Sequence, residues 1–393
     1  MHMVDVITEA LVSWSLHQRD APIVARERFA ASVPLAVEQG ALALVTCHRV
    51  EIFACLARDL DARAWLSDSG DASDAVVVRT EAAAVTHLFR VAAGLDSAIA
   101  GERQILGQLR RAYAGRETPL PSLLYAAVER ALHHGRLLRA QTALGSVTRS
   151  IGSLAVDELV RELDEPNRAT ILVVGAGEVG KLAVRALRRR VGRILVVSRS
   201  GQSAQEAAAV AGGEAVALAD IASAIDAADG VISAADTRGT ILTAELLGPR
   251  VARRSLVVVD IAMPRSLAAD ARQIGGLLYR SVDDLGFEAT VSPEVIVECE
   301  EACRVAAARF IDECAAREAG PVIAALHARA DVLRRRQLDR ALAKLGHLNQ
   351  RDREVVAGLA QALARGLLHE PTVALRTKPS WAGAARDLFG IEP

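Results

Sequence analysis

An apolar strand that runs directly into a glycine-rich turn constrains the fold of this chain more than any other feature. Residues 170–187 read as a buried strand, the turn GAGEVG and an amphipathic helix, and a further helical pattern begins at Ser150. Other β-type runs alternate with helical patterns and lie at 193–198, 230–235 and 255–262. Because strands separated by helices favour a parallel sheet, the sequence predicts a Rossmann-type domain over residues 151–286.

The glycine turn has a chemical interpretation and a purely structural one. Glycines at such a turn let the backbone approach a pyrophosphate, whose charge then lies at the helix N-terminus. On this interpretation the cofactor-binding residues are Gly175, Ala176, Gly177, Glu178, Val179 and Gly180. A turn that only joins a strand to a helix is the alternative.

The end of the second strand indicates which dinucleotide binds. A cofactor without a 2′-phosphate would favour Asp or Glu here, to accept hydrogen bonds from the ribose. The chain instead has Ser198-Arg199-Ser200, whose guanidinium and hydroxyls suit a 2′-phosphate. We therefore predict NADPH as the cofactor; the alternative is that Arg199 only faces solvent.

Cys47 is the candidate nucleophile. It lies in Thr46-Cys47-His48-Arg49, between β-type runs at 41–47 and 50–56. A neighbouring Arg or protonated His lowers a thiol pKa, and a reactive thiol in a chain that binds a nicotinamide suggests acyl capture followed by hydride delivery. A buried, inert cysteine is the alternative, and the pattern alone leaves both open.

The regions on either side of the Rossmann-type segment are mainly helical. Residues 82–116 and 122–140 have helical spacing, and 66–74 is polar and predicts a loop. Beyond residue 286, helical periods are found at 294–318, 322–345 and 350–368. An apolar stripe there predicts packing on another helix, typically from a second subunit; it consists of Val322, Leu326, Leu333, Leu338, Leu342 and Leu345.

Charge, cysteine content and hydropathy limit the partners and metal sites that this chain can have. The net charge is −1, so a nucleic-acid partner needs a local patch, and Arg103–Arg149 offers one with eight Arg against two Glu. The five cysteines lack metal-site spacing, and Cys299 and Cys303 are predicted core residues, so we predict no metal site. No long apolar run or signal pattern is found, which predicts a cytoplasmic protein that binds neither membrane nor DNA.

Several motifs together resemble the glutamyl-tRNA reductase family. The nucleophile motif Thr/Ser-Cys-Asn-Arg-x-Glu is matched by TCHRVE at 46–51, and the helix motif by HLFRVAAGLDSAIAGERQILGQ at 87–108. Further similar segments follow in the family's order at 175–180, 258–267, 279–285 and 367–376. The resemblance covers essentially the whole chain.

The resemblance implies an α/β multidomain protein. Its parts would be an N-terminal α+β catalytic domain (1–150), the Rossmann-type NADP-binding domain (151–286) and an all-α helical spine and dimerisation domain (287–393). Members reduce glutamyl-tRNA to glutamate-1-semialdehyde through a cysteine thioester, the first step of the five-carbon route to 5-aminolevulinate and porphyrins. A homodimer is expected, with channelling to the downstream glutamate-1-semialdehyde aminomutase.

Residue by residue, the resemblance makes Cys47 the nucleophile and His87 a residue of proton transfer or substrate activation. The predicted substrate-contacting residues are Thr46, His48, Arg49, Ser97, Glu102, Arg103, Gln104 and Gln108. Arg49 suits the substrate carboxylate, since its planar fork gives a bidentate grip.

Departures from the family pattern surround this predicted pocket. His48 replaces an Asn, Arg103 a Pro, and in SLHQRDAP (15–22) Gln18 replaces a His while a new His stands at position 17. These changes leave two alternatives open: a divergent paralogue that reduces another aminoacyl-tRNA or thioester, and a non-catalytic tRNA-binding homologue.

Overall fold

The computed structural model describes residues 9–57, 60–62, 65, 75–102, 104–116, 118–147, 149–235, 239–286 and 291–391. These fall into two compact units, one within Leu11–Cys303 and one formed by parts of Met1–Ala10 and Arg304–Pro393. The predicted loop at 66–74 lies outside the described residues. Within the described helices, none is both long enough and apolar enough to cross a membrane.

The N-terminal region contains a four-stranded sheet of order β2-β3-β1-β4. Its strands are β1 (Glu9–His17), β2 (Leu42–Val45), β3 (Arg49–Ala57) and β4 (Val77–Thr80). The pairs β2–β3 and β1–β4 are antiparallel. The sheet carries the core of this region, where Trp14 is fully buried and stacks on Trp65 with ring centroids 4.7 Å apart.

In the described part of this region, five helices pack around the sheet. They are α1 (Ile23–Ala31), α2 (Val33–Glu38), α3 (Glu81–Ala93), α4 (Gln104–Ala114) and α5 (Ser122–Gln141). The single helical stretch predicted over 82–116 is wrong: α3 ends at Ala93, where Gly94 adopts φ +83 and caps the helix. Only glycine adopts that conformation cheaply, so one residue breaks a pattern whose apolar spacing continues on both sides.

The central region is a doubly wound parallel sheet of order β10-β9-β8-β5-β6-β7, which confirms the Rossmann-type fold. Its strands are β5 (Thr170–Val174), β6 (Arg193–Val197), β7 (Glu214–Val216), β8 (Gly230–Ser233), β9 (Leu256–Asp260) and β10 (Leu277–Ser281). The helices between and around them are α6 (Ile151–Arg161), α7 (Glu178–Leu187), α8 (Gly201–Ala209), α9 (Ile221–Ala227) and α10 (Ala244–Val251). The sequence missed β7 and β10, because these edge strands are short or only half-buried and lack a continuous apolar run.

The C-terminal region is helical, as predicted. It consists of α11 (Pro293–Lys344), α12 (Gln350–Thr377) and α13 (Ala382–Phe389). The predicted break between 318 and 322 is wrong, because α11 continues through Pro321. A proline removes one backbone hydrogen bond, and burial of Ala319, Val322 and Leu326 at the same place offsets that loss.

Single-turn 3₁₀ helices connect these elements. They lie at Ala143–Ser146, Pro166–Arg168, Leu218–Asp220, Ala271–Gln273, Val282–Asp284 and Pro379–Trp381. The segment Val282–Asp284 follows β10 and contacts the N-terminal region, so it bears on the site described below.

The glycine turn between β5 and α7 is closely packed. Gly175 has φ +106, and a Cβ at Gly180 would lie 1.9 Å from the Gly175 carbonyl oxygen. Gly177 caps α7, and a Cβ there would meet nothing within 4 Å. Gly175 and Gly180 are therefore required by the fold, whereas the open side of Gly177 leaves room for a ligand to approach the helix N-terminus.

We expect Gly180→Ala to lower the free energy of unfolding by about 1–3 kcal/mol, because the added methyl group meets backbone that cannot move away. Gly177→Ala is the matched control and should cause no loss of stability. Thermal melting followed by circular dichroism compares the two variants. Equal melting temperatures for both would contradict this account of the turn.

Candidate active site

A tight hairpin turn presents Cys47. Val45 pairs with Val50 at the end of the β2–β3 ladder, and the backbone N–H of Thr46 donates to Arg49 O at 2.9 Å. The Thr46 hydroxyl accepts from the backbone N–H groups of His48 and Arg49, both at 3.3 Å. The turn is thus closed around its first residue, and the side chains of Cys47 and His48 are at its tip.

Arg26 fixes this turn and connects it to the Rossmann-type region. Its fully buried guanidinium donates to the carbonyl oxygen of Cys47 and to the carboxylate of Asp283, in the 3₁₀ turn after β10. Nearby, Gln18 Nε2 donates to Val282 O at 2.9 Å, and the backbone N–H of Ile23 donates to Asp283 at 2.9 Å. These contacts hold the thiol at a defined position relative to the Rossmann-type sheet.

Most of the predicted substrate residues line one pocket around the thiol. They are Thr46, Cys47, His48, Arg49, Ser97, Glu102, Gln104 and Gln108. Ile105, Ile151 and Val179 complete the wall, and Val179 belongs to the glycine turn. The free space is about 10 Å³, which is room for about one water molecule.

Some buried polar atoms of this wall make no hydrogen bond to the described residues. They include Arg49 Nη1, Ser97 Oγ and Gln104 Nε2. Arg49 and Gln104 are only 2% and 4% exposed. Because buried polar groups are nearly always paired, donors left unused in one pocket mark a place where a ligand supplies the acceptors.

Other predicted residues lie apart from this pocket. His87 is not in its lining but lies behind it, bonded to Glu51. The turn 175–180 contributes only Val179 to the lining. Ser198, Arg199 and Ser200 follow β6, where Ser200 caps α8 and Arg199 is exposed. Arg103 lies outside the described residues.

Glu51 is the centre of a buried charge network beneath the pocket. Its two oxygens accept from His17 Nε2 and His87 Nε2, both at 2.8 Å, and Arg49 Nη1 lies 3.5 Å away. Although burial opposes ionisation, the charges and hydrogen bonds of the two imidazoles lower the pKa of Glu51 to about 2.

The other ring nitrogen of His87 lies 3.5 Å from the carboxylate of Asp96. Burial alone would lower the pKa of His87, but the charges of Glu51 and Asp96 raise it above its usual value. The donor atoms of His17, Glu51 and His87 lie within 4.8 Å of one another, a set that could hold a metal ion. The guanidinium of Arg49 opposes a second positive charge there.

The thiol itself is held in its neutral form. Burial, with a contribution from Glu102, raises the pKa of Cys47 to about 12. Burial and the charges of Arg49 and Arg26 lower the pKa of His48 to about 3, and burial raises that of Glu102 to about 7. At neutral pH the pocket therefore combines a protonated thiol with a neutral imidazole, and the Cys47 Sγ–His48 Nδ1 distance is 3.5 Å.

Family models match three consecutive parts of the chain. Residues 14–142 match Glutamyl-tRNAGlu reductase, N-terminal domain; residues 158–288 match Shikimate / quinate 5-dehydrogenase; and residues 298–391 match Glutamyl-tRNAGlu reductase, dimerisation domain. The chain is also 32% identical to the glutamyl-tRNA reductase of Myxococcus xanthus, over 97% of this chain and 94% of that protein. The chain belongs to the glutamyl-tRNA reductase family.

The chain is also similar to further proteins. The glutamyl-tRNA reductase of Roseiflexus castenholzii is 32% identical over 96% of both chains. The solved glutamyl-tRNA reductase of Methanopyrus kandleri is 29% identical and matches 96% of this chain and 97% of that one, with a TM-score of 0.48. The match of 158–288 to a dehydrogenase family, together with the glycine turn, indicates use of a nicotinamide cofactor. The match of 298–391 indicates a dimerisation domain.

Sequence reasoning did not assign roles to Glu51, His17, Asp96 and Arg26. Glu51 is the last residue of the family motif at 46–51. A carboxylate in a predicted apolar strand, so soon after the turn, was the signal that could have identified it. Arg26 and Asp283 are 257 residues apart in sequence, so no local sequence pattern predicts their contact.

We expect Glu51→Gln to lower the pKa of His87, because the charge that stabilises the imidazolium is removed. Breaking this buried network should also cost about 3–5 kcal/mol of stability. NMR titration of the His87 ring measures the first effect and thermal melting the second. Glu206→Gln, which removes only an exposed ion pair with Lys181, is the control and should leave both unchanged.

The stability loss caused by Glu51→Gln should itself depend on pH. The lowered pKa of Glu51 stabilises the fold above about pH 4.3, and this contribution is lost as pH falls towards 2. The raised pKa of His87 stabilises it below about pH 6.5, and that contribution is lost as pH rises through the folded value. The loss should therefore be largest between about pH 4.3 and 6.5. A loss that is the same at pH 5 and pH 9 would contradict the network.

Proposed function

We propose that this protein reduces glutamyl-tRNA to glutamate-1-semialdehyde and free tRNA, through a thioester on Cys47 and with NADPH as reductant. One observation carries the proposal: unpaired buried donors of Arg49, Ser97 and Gln104 surround the only cysteine sulfur that lines the described pocket. A glutamyl ester offers the matching acceptors, a side-chain carboxylate and a carbonyl oxygen.

Each donor suits one part of that substrate. The Arg49 guanidinium suits the side-chain carboxylate, since charge-assisted bonds to a planar fork are strong and directional. Ser97 Oγ and Gln104 Nε2 suit the carbonyl, where a donor stabilises the negative charge that develops when sulfur attacks. The remaining wall residues Thr46 and Gln108 would position the substrate from the turn and from α4.

The reaction then divides into two easier steps. The Cys47 sulfur displaces the tRNA ribose oxygen from the glutamyl carbonyl, and the resulting thioester accepts hydride more readily than an ester does. NADPH supplies the hydride. Val179 links the glycine turn to the thiol pocket, so the pocket adjoins the turn that would hold the pyrophosphate.

The small pocket volume supports this chemistry. With room for about one water molecule, the wall excludes the bulk water that would hydrolyse a thioester. The same pocket must widen to admit the glutamyl group. We infer that the contacts of Gln18, Ile23 and Arg26 with Val282 and Asp283 yield during that widening.

The wider setting follows from the family. We propose that the enzyme works in the cytoplasm as a homodimer, with catalytic residues within 1–150 and dimer contacts within 287–393. Its product enters tetrapyrrole synthesis, and direct transfer to glutamate-1-semialdehyde aminomutase would protect the reactive aldehyde. The dimerisation match supports the homodimer, and the exposed apolar row Val355, Leu359, Leu363 and Leu367 on α12 supports pairing through this helix.

One observation favours a second candidate, a reductase for a different aminoacyl-tRNA. The residues that depart from the family pattern at positions 17, 18 and 48 line a single cavity of about 540 Å³. Arg49 argues against this candidate, since an uncharged substrate side chain would offer its buried Nη1 donor no carboxylate oxygen to bond.

Incubation with glutamyl-tRNA in the absence of NADPH should add one glutamyl group to the peptide that carries Cys47, detected by mass spectrometry. Addition of NADPH should then release the semialdehyde. Cys47→Ser should abolish both events, whereas Cys55→Ser, which changes a half-buried thiol of β3, is the matched control and should retain them. An adduct only with tRNA that carries another amino acid would favour the second candidate, and activity in Cys47→Ser would end the covalent mechanism.

We expect Arg199→Ala to weaken NADPH binding about 10- to 100-fold, because a charge-assisted bond to the 2′-phosphate is worth about 1.5–3 kcal/mol. Binding of NADH should not change. Fluorescence titration with both nucleotides measures the two effects. Arg193→Ala, which removes a guanidinium at the other end of β6, is the control. Equal weakening of NADPH and NADH binding would argue against recognition of the 2′-phosphate by Arg199.

A further inference from the structure

His48 is held beside the thiol by its backbone. Its carbonyl oxygen accepts from the backbone N–H of Gln18 at 2.8 Å, and its own N–H donates to Thr46 Oγ1. Its ring nitrogen Nδ1 lies 3.5 Å from Cys47 Sγ, within the range of a sulfur hydrogen bond. The ring is therefore positioned against the reacting atom by contacts that do not involve the ring itself.

His48 also lies between two spaces. One is the thiol pocket, with room for about one water molecule, and the other is the cavity of about 540 Å³. Of the residues that the structure describes, only His48 and Ser97 line both. When the glutamyl group fills the widened thiol pocket, the larger cavity on the other side of His48 has the volume for the terminal ribose of the tRNA. The leaving ribose oxygen would consequently depart on the side of His48 that faces this cavity.

We propose that His48 is a catalytic residue that carries the thiol proton of Cys47 to the departing ribose oxygen. This inference rests on the proposed function and adds to it a role for the one imidazole in contact with the sulfur. The resemblance assigns proton transfer to His87, but among the described residues the lining of the thiol pocket includes His48 and not His87.

The step balances within the pocket. As Sγ forms a bond to the glutamyl carbonyl carbon, the S–H proton passes to Nδ1 of the neutral imidazole. When the bond between that carbon and the ribose oxygen breaks, the imidazolium returns the proton to the oxygen. The products are the Cys47 thioester, neutral His48 and tRNA with a free hydroxyl.

The charges around His48 come from several elements. Cys47 and Arg49 lie on the same turn, Arg26 on α1, and Glu102 two positions before α4. The cavity side adds His17, Arg19, Asp96 and Asp283. Burial and the charges of Arg49 and Arg26 disfavour the imidazolium of His48, so the ring is a weak base in the resting pocket and, once protonated, readily gives its proton to the leaving oxygen. Glu102 is the competing base, since burial brings its pKa to about 7.

The decisive comparison is between the wild type and His48→Asn, which keeps a side chain of similar size. Formation of the thioester from glutamyl-tRNA, without NADPH, is measured by rapid quench between pH 5.5 and 7.5. We expect the variant to be slower by about 10²- to 10⁴-fold, the usual contribution of a positioned acid–base group. Far-ultraviolet circular dichroism and NADPH binding should be unchanged, which separates this effect from misfolding.

The pH profile distinguishes a proton carrier from a structural residue. Without the imidazole, attack depends on the small ionised fraction of the thiol, which rises about tenfold per pH unit below its pKa. The ratio of variant to wild-type rates should therefore rise about tenfold per unit. Added imidazole should restore part of the rate in His48→Ala.

A control variant accompanies this test, and its outcomes distinguish failure of the role of His48 from failure of the proposed function. His133→Asn changes an exposed histidine of α5 and should behave as wild type. A wild-type rate in His48→Asn, or a ratio that does not change with pH, would overturn the role of His48 while leaving the proposed function intact. If the wild type forms no thioester, the proposed function fails. Alkylation of Cys47 by iodoacetamide then tests His48 alone, and the same rising ratio is expected.

Discussion

A buried guanidinium that bonds two distant parts of the chain underlies the arrangement of this site. Arg26 donates both to the Cys47 carbonyl and to Asp283, so one side chain sets the position of the thiol relative to the Rossmann-type sheet. Removing the Asp283 carboxylate would leave the buried Arg26 guanidinium without this counter-charge, which costs several kcal/mol. Arg265 and Glu27 make a second, bidentate link at 2.7–3.0 Å between the same two regions. The chemistry requires this coupling, because thiol and cofactor are held by different regions.

The sequence predicted those parts of the fold that have a local physical cause. The apolar run of β5, the glycine turn and the helix start at Ser150 all appear as expected, and Ser150 forms a capping box with Ser153. The break at Gly94 was missed because a single left-handed residue leaves no trace in apolar spacing. The continuity of α11 through Pro321 was missed for the opposite reason, since burial there overrides a local helix breaker.

The residues of the candidate site also fall into two groups, one predicted from local sequence and one predicted only from the family resemblance. Thr46, Cys47, His48 and Arg49 are contiguous in sequence, and one hairpin brings all four to the pocket. Ser97, Glu102, Gln104 and Gln108 reached the prediction only through resemblance, because the loop after α3 folds back for tertiary reasons. These residues converge on the thiol through contacts between distant parts of the sequence. One example is the backbone N–H of Ile151, which donates to the Glu102 carboxylate at 3.5 Å across a separation of 49 residues. The buried network around Glu51 likewise exists only once β1, β3, α3 and the loop after α3 meet.

The confined, protonated thiol has a consequence for the lifetime of the protein. Oxidation of cysteine proceeds through the thiolate and needs access for the oxidant. The pKa of Cys47 is raised to about 12, and its pocket has space for about one water molecule. In the resting state the sulfur is therefore neither ionised nor accessible to an oxidant. On the proposed mechanism, Cys47 reacts only when the substrate widens the pocket and His48 accepts the thiol proton. Burial thus protects the Cys47 thiol from oxidation to sulfenic acid while the pocket stays closed.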